Sequence, residues 1–207
     1  AGGDLVAFPT ETVYGLGGDA TNEAAIARIF SVKSRPSFNP LIVHVADLAA
    51  AEKVTVFDDR ARCLAKFFWP GALTLVLKRL KNSPVAQGAS ANLPTIALRV
   101  PDSEIAQALL RQIPNPIAAP SANRSGSVSP TTAEHVAASL GTAVSLILDG
   151  GPCKVGIEST VLDLSGNRPC LLRPGVITED MLIEKIGALE KATLNDPKKP
   201  RSPGMAD

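Results

Sequence analysis

The chain has 207 residues, of which 45% are apolar and 4% aromatic, and its formal charge is +1. This length supports one sizeable core, and the composition is that of a folded domain rather than a disordered one. The charge excludes a global basic field for nucleic acid, and the scarcity of aromatics excludes single-strand binding by base stacking; RNA contact would need a local patch.

In chain order, residues 5–8 read as a short buried strand, followed by a loop rich in hydroxyls and glycines up to Gly17. Residues 22–32 read as a helix, with Ala25, Ile26, Ile29 and Phe30 on one face and Thr21 or Asn22 as its cap. Pro36 forbids its continuation, which leaves Lys33 and Arg35 at its end. Residues 41–45 predict a strand, and residues 59–68 a helix that stops before Pro70 and Gly71. Strands follow at 73–78 and 95–100, then a helix at 103–112. The apolar run 117–119 leads into a polar loop, 120–126. Thr131 and Glu134 have capping-box spacing and open another helix. Strands are expected at 145–148, 160–164 and 170–172, and a last helix at 178–186 ends at Gly187. Strands and helices mix without strict alternation, so the expected fold is α/β with a mixed, twisted sheet.

Residues 1–190 are expected to form one catalytic domain. From Lys191 the composition turns to Lys, Pro, Asn, Asp and Gly, and residues 191–207 are expected to be a linker to a C-terminal domain absent from this chain. The chain starts at Ala1 without a methionine, so an N-terminal stretch is expected to be missing. No apolar run reaches membrane-spanning length and no signal peptide is visible. Cys63, Cys153 and Cys170 form no Cys-x-x-Cys, which fits neither a disulfide framework nor a zinc site, and points to a reducing, cytoplasmic setting.

Several motifs carry both a bland and a chemical reading. GLGGDA at 15–20 matches a dinucleotide fingerprint only loosely, because residues 9–14 separate it from the strand and the later acidic residue is missing. No P-loop motif is present. Lys33 and Arg35 complement a helix dipole, or they form a phosphate clamp in a rigid turn. His44 lies in an apolar strand, where a satisfied core histidine is the ordinary outcome; metal binding through two histidines without a cysteine cluster is not expected. Arg99, inside a strand, needs a buried anion: either an acid such as Glu158 or a ligand carboxylate. Ser121 and Asn123 are turn formers, residues 156–160 a strand entry and Arg173 a strand end, or these groups share one rim with the cations. Cations, hydroxyls and amides suit positioning and charge neutralisation in phosphoryl or nucleotidyl transfer.

Seven motifs occur in order: FPTETVYGLG (8–17), KSRPSFNPLIVHV (33–45), PGALTLVL (70–77), IALRVP (96–101), APSANRSG (119–126), GIESTVLD (156–163) and LLRPG (171–175). Together they resemble the YrdC-like family of threonylcarbamoyl-AMP synthases over residues 5–187, and the tail from Ser202 to Met205 resembles the linker of its two-domain branch. The resemblance implies a twisted open α/β sheet with a concave cationic cleft. It also implies a reaction in which L-threonine, bicarbonate and ATP, with Mg²⁺, give threonylcarbamoyl-AMP and pyrophosphate for tRNA modification by downstream transfer proteins. Carried over by motif, Thr12, His44, Arg99, Ala119 and Ser159 should contact threonine. Lys33, Arg35, Asn39, Thr95, Ser121 and Arg173 should contact ATP, with Lys33 and Arg35 catalytic. The competing expectations are a non-catalytic RNA-binding module using the same cleft, and a carbamoyl-transfer domain of a larger maturation enzyme.

Overall fold

A computed structural model describes residues 3–191. The elements are β1 (Val6–Phe8), β2 (Gly15–Asp19), α1 (Glu23–Lys33), β3 (Ile42–His44), α2 (Leu48–Glu52), α3 (Asp59–Phe68), β4 (Leu73–Lys78) and β5 (Thr95–Arg99). They continue with α4 (Glu104–Gln112), β6 (Ile117–Ala118), α5 (Ala133–Leu140), β7 (Leu146–Ile147), β8 (Thr160–Asp163), β9 (Cys170–Arg173), α6 (Glu179–Ile186) and β10 (Glu190–Lys191). Ten strands form a sheet in the order β10-β9-β8-β4-β5-β3-β6-β2-β1-β7. The pairs β3–β5 and β4–β8 are parallel, whereas β4–β5, β3–β6 and β2–β6 are antiparallel. The mixed α/β sheet expected from the sequence is therefore present.

Local chemistry sets the helix ends. The Asn22 side chain accepts hydrogen bonds from the Ala24 and Ala25 N–H groups and opens α1. Ser34 closes it in the left-handed region, at φ 52°, so Lys33 is the last helical residue and Arg35 lies beyond the turn. The cap of α5 is Thr132, whose hydroxyl accepts from the His135 N–H, one residue beyond the capping position read from the sequence. Thr178 caps α6 in the same way through the Met181 N–H.

Alternation along the central strands decides where the site lies. Val43 and Leu98 join the main core with Leu16, Ile29, Leu64 and Leu75. Their neighbours Ile42 and Ala97 pack on the other face with Val76 and Val161. Since β side chains alternate, His44 shares the face of Ile42, and Arg99 that of Ala97. The register pairs Ile42 with Ala97 and His44 with Arg99, which sets the two functional side chains next to each other.

The glycine-rich segment departs from expectation: it is β2, not a loop. A Cβ on Gly17 would stand 2.7 Å from Phe8 Cε1 and 2.9 Å from Ile117 Cγ2. These glycines therefore permit close packing across the sheet, and no phosphate-binding turn forms there. Gly17→Ala is expected to cost about 1–3 kcal/mol through overpacking, read as a lower urea midpoint at unchanged m-value. The short elements α2 and β10 were also not foreseen. Lys191, read as the first linker residue, pairs through β10 with β9, and its Nζ lies 2.8 Å from Glu179 Oε2. Residues 192–207 of the expected linker lie outside the described residues.

Candidate active site

The face bearing His44 and Arg99 floors a cleft of about 390 Å³. Of the residues expected at the site, Thr12, Lys33, Arg35, His44, Arg99, Ala119, Ser121, Ser159 and Arg173 all line it. Asn39 and Thr95 are not among the lining residues. Asn39 is buried beneath the turn after α1, where its carbonyl accepts from Arg35 Nε at 3.2 Å. Thr95 starts β5, four residues from Arg99, or roughly 13 Å along the strand.

The turn between β1 and β2 supplies one wall. Thr10 Oγ1 donates to the Val13 carbonyl at 2.7 Å and lies 2.8 Å from Thr12 Oγ1, so the turn is held by its own hydroxyls. Arg99 Nη1 donates to Thr12 Oγ1 at 2.9 Å, and its Nε donates to the Gly71 carbonyl at 3.1 Å. Its Nη2 meets Glu11 Oε1 at 2.5 Å, with the two side chains only 4% and 7% exposed. The protein anion beside Arg99 is thus Glu11; Glu158, the example of such an acid weighed from the sequence beside a ligand carboxylate, pairs with Arg173 instead. Glu11 Oε2 also accepts the Asp102 N–H at 2.9 Å, which fixes it from both sides.

The other cations come from α1, the turn after it and β9. Lys33 is 1% exposed, and its Nζ donates to the carbonyls of Ser121, at 2.6 Å, and Asn123. It ends α1 as the dipole reading requires, yet it points inward and holds the polar loop 119–127. Arg35 donates from Nη2 to the Pro40 carbonyl at 3.1 Å. Arg173 donates from Nε to the Ser159 carbonyl at 3.0 Å and from Nη2 to Ser159 Oγ at 3.1 Å, and ion-pairs with Glu158 through Nη1. Ser159 Oγ lies 2.8 Å from Thr74 Oγ1. The lining therefore holds four basic side chains and one acidic one, Glu158.

Sequence reasoning missed Thr10, Ser125, Ser127 and Ser129 as lining residues, and Glu11 as the partner of Arg99. All of them fall in or beside the quoted motifs, so the signal was position within a motif rather than residue type. No cysteine is available as a nucleophile in the cleft: Cys153 is half-buried, and burial pushes its thiol up to about 11.

Burial, reinforced by the Arg99 guanidinium, lowers His44 to about 3. The imidazole is therefore neutral in the folded protein at ordinary pH, and its Nδ1 is buried with no hydrogen-bond partner among the described residues. The folded value lies below the unfolded value of 6.5. The unfolded chain therefore binds the extra proton, and this contribution to stability is complete above pH ~6.5 and lost on acidification toward pH ~3. Unfolding free energy is expected to fall by up to about 1.4 kcal/mol per pH unit from this group across that window. His44→Phe should flatten the slope, as measured by urea titrations between pH 4 and 7; an unchanged slope would contradict the assignment.

The Telomere recombination family (Sua5, YciO, YrdC) matches residues 1–175. The threonylcarbamoyl-AMP synthase of Bacillus subtilis is 49% identical over 205 residues, which is 98% of this chain and 59% of that protein. The threonylcarbamoyl-AMP synthase of Pyrococcus abyssi is 48% identical over 188 residues, or 90% of this chain and 55% of that protein. The crystal structure of P. abyssi Sua5 complexed with L-threonine matches with a TM-score of 0.94 at 44% identity, over 98% of this chain and 60% of that one. The chain thus spans less than two thirds of the length of these relatives. With the family match over residues 1–175 and these relatives in sequence and fold, the chain belongs to the Sua5/YciO/YrdC family.

Proposed function

We propose that this chain makes L-threonylcarbamoyl-AMP from L-threonine, bicarbonate and ATP, releasing pyrophosphate and water. The observation that carries the reading is that one cleft is lined both by Thr12, His44 and Arg99, groups suited to an amino acid, and by Lys33, Arg35 and Arg173, cations suited to a polyphosphate. The relatives' names and the L-threonine in P. abyssi Sua5 support the same assignment.

In this mechanism the threonine amine attacks bicarbonate, or CO2 derived from it, to give a carbamate. A carbamate oxygen then attacks the α-phosphorus of ATP, and pyrophosphate leaves. Arg99 acts by orientation: Gly71, Thr12 and Glu11 engage three of its N–H donors, and two of the guanidinium's five remain to hold the threonine carboxylate. Ala119 and Ser159 border the amino acid, while neutral His44 contributes a surface without adding charge. Lys33, Arg35 and Arg173 offset the charge that gathers on phosphate oxygens, and Ser121 adds a nucleotide contact, whereas Asn39 and Thr95 stand off the cleft lining and take no part.

Among the described residues no group of three His, Cys, Asp or Glu side chains could hold a metal, and Glu158 in the cleft is paired with Arg173. These residues do not fit a protein-held Mg²⁺, and no step above depends on one. The product would pass to transfer proteins that modify tRNA in the cytoplasm. No helix among the described residues is long and apolar enough to cross a membrane.

The test is pyrophosphate release by the purified chain with each substrate omitted in turn. Release that requires both threonine and bicarbonate is the expected result; release without threonine, or none with all three substrates present, overturns the proposal.

A further inference from the structure

Two carboxylates face cationic side chains of this site, and they are held differently. Glu11 is buried, with one oxygen on Arg99 and the other on the Asp102 N–H, so it is part of the frame. Glu158 is 34% exposed and lines the cleft itself. It stands two residues after Gly156, which has φ +78°, a conformation that other residues adopt only with strain. Its Oε2 ion-pairs with Arg173, and its Oε1 accepts from Ser129 Oγ at 3.0 Å. Ser159 anchors the Arg173 guanidinium through Nε and Nη2, so its position does not depend on Glu158. Any anion that reaches Arg173 from the cleft must oppose the Glu158 carboxylate at close range.

We propose that Glu158 is a displaceable internal anion, a carboxylate that occupies Arg173 until a polyphosphate replaces it. This rests on the reading of the Arg173 end of the cleft as a phosphate site. The chemistry gives selectivity by charge. A ligand with one negative charge gains little by displacing another carboxylate, whereas a polyphosphate brings several charges and reaches the neighbouring cations as well. Glu158 thereby raises the threshold for anions at this subsite, and sets affinity for the phosphate chain without touching the reacting atoms.

The experiment is calorimetric titration of the chain with inorganic pyrophosphate in the presence of EDTA, alongside inorganic phosphate. Glu158→Gln removes the charge while its amide oxygen still accepts from Arg173 and its amide N–H can donate to the Ser129 hydroxyl. It is expected to bind pyrophosphate about tenfold more tightly, the scale of one like charge removed from a partly exposed site. The gain should be smaller for phosphate and should shrink as salt is raised. Ser129→Ala leaves the charge but unties it, and is expected to tighten pyrophosphate binding about twofold to threefold; it decides the matter if Glu158→Gln fails to fold. Unchanged or weaker pyrophosphate binding, or equal gains for phosphate and pyrophosphate, overturns the proposal. The synthase reading fails separately: normal threonine-dependent pyrophosphate release with no gain in Glu158→Gln sinks only the displaceable anion. The gain without that release sinks only the reaction.

Discussion

Arg99→Met is expected to cost about 3–5 kcal/mol of folding stability and to remove threonine-dependent pyrophosphate release. The cost follows from burial. Glu11 would keep the Asp102 N–H but lose its counter-charge at a site where its side chain is 7% exposed. Thr12 Oγ1 and the Gly71 carbonyl would lose donors as well. Urea unfolding measures the first effect and a pyrophosphate assay the second. The two are separable in the double variant Arg99→Met with Glu11→Gln, which removes both charges. That variant should recover most of the stability and none of the activity, because the threonine carboxylate still lacks its partner. A double variant as unstable as Arg99→Met alone would show that the ion pair is not the source of the loss.

The second large effect is expected at Lys33. Lys33→Met removes a cation from the polyphosphate subsite and leaves the carbonyls of Ser121 and Asn123 without their donor. Pyrophosphate release at saturating substrates should fall by about 10²–10³, in line with the loss of one preorganised donor to a developing negative charge. Lys33→Arg should not rescue it: the side chain is 1% exposed, and a planar guanidinium does not fit where an ammonium is gripped by two carbonyls. Wild-type rates in Lys33→Met would remove Lys33 from the chemistry and leave it a purely structural role.

The central strands were legible because they are short apolar runs rich in Leu, Val and Ile; β3, β4 and β5 are buried on both faces, and tertiary packing agrees with that reading. β2 was not legible, since GLGGD has the composition of a turn; its glycines are selected by Phe8 and Ile117, which a local reading does not place opposite them. β10, with two residues, and α2, with five, are too short to carry a period. At the site, Pro36 and the position of Lys33 and Arg35 pointed to the cation cluster. The partner of Arg99 was hidden because Glu11 lies 88 positions away, and only the fold decides between it and Glu158. That Asn39 and Thr95 stand off the cleft lining is likewise a matter of local packing and strand length.

The sheet order has a kinetic consequence. β1 pairs with β7 through Val6 and Leu146, and β4 pairs with β8 through Leu73 and Thr160. Joining such distant segments spends loop entropy before any contact rewards it, so assembly should be slow and governed by topology rather than by local helix formation. Because the wall that includes Arg173 belongs to β9, next to the last strand to emerge during synthesis among the described residues, a nascent chain halted before that point has no finished chamber. Ligand capture at the full chamber therefore requires that translation has passed β9.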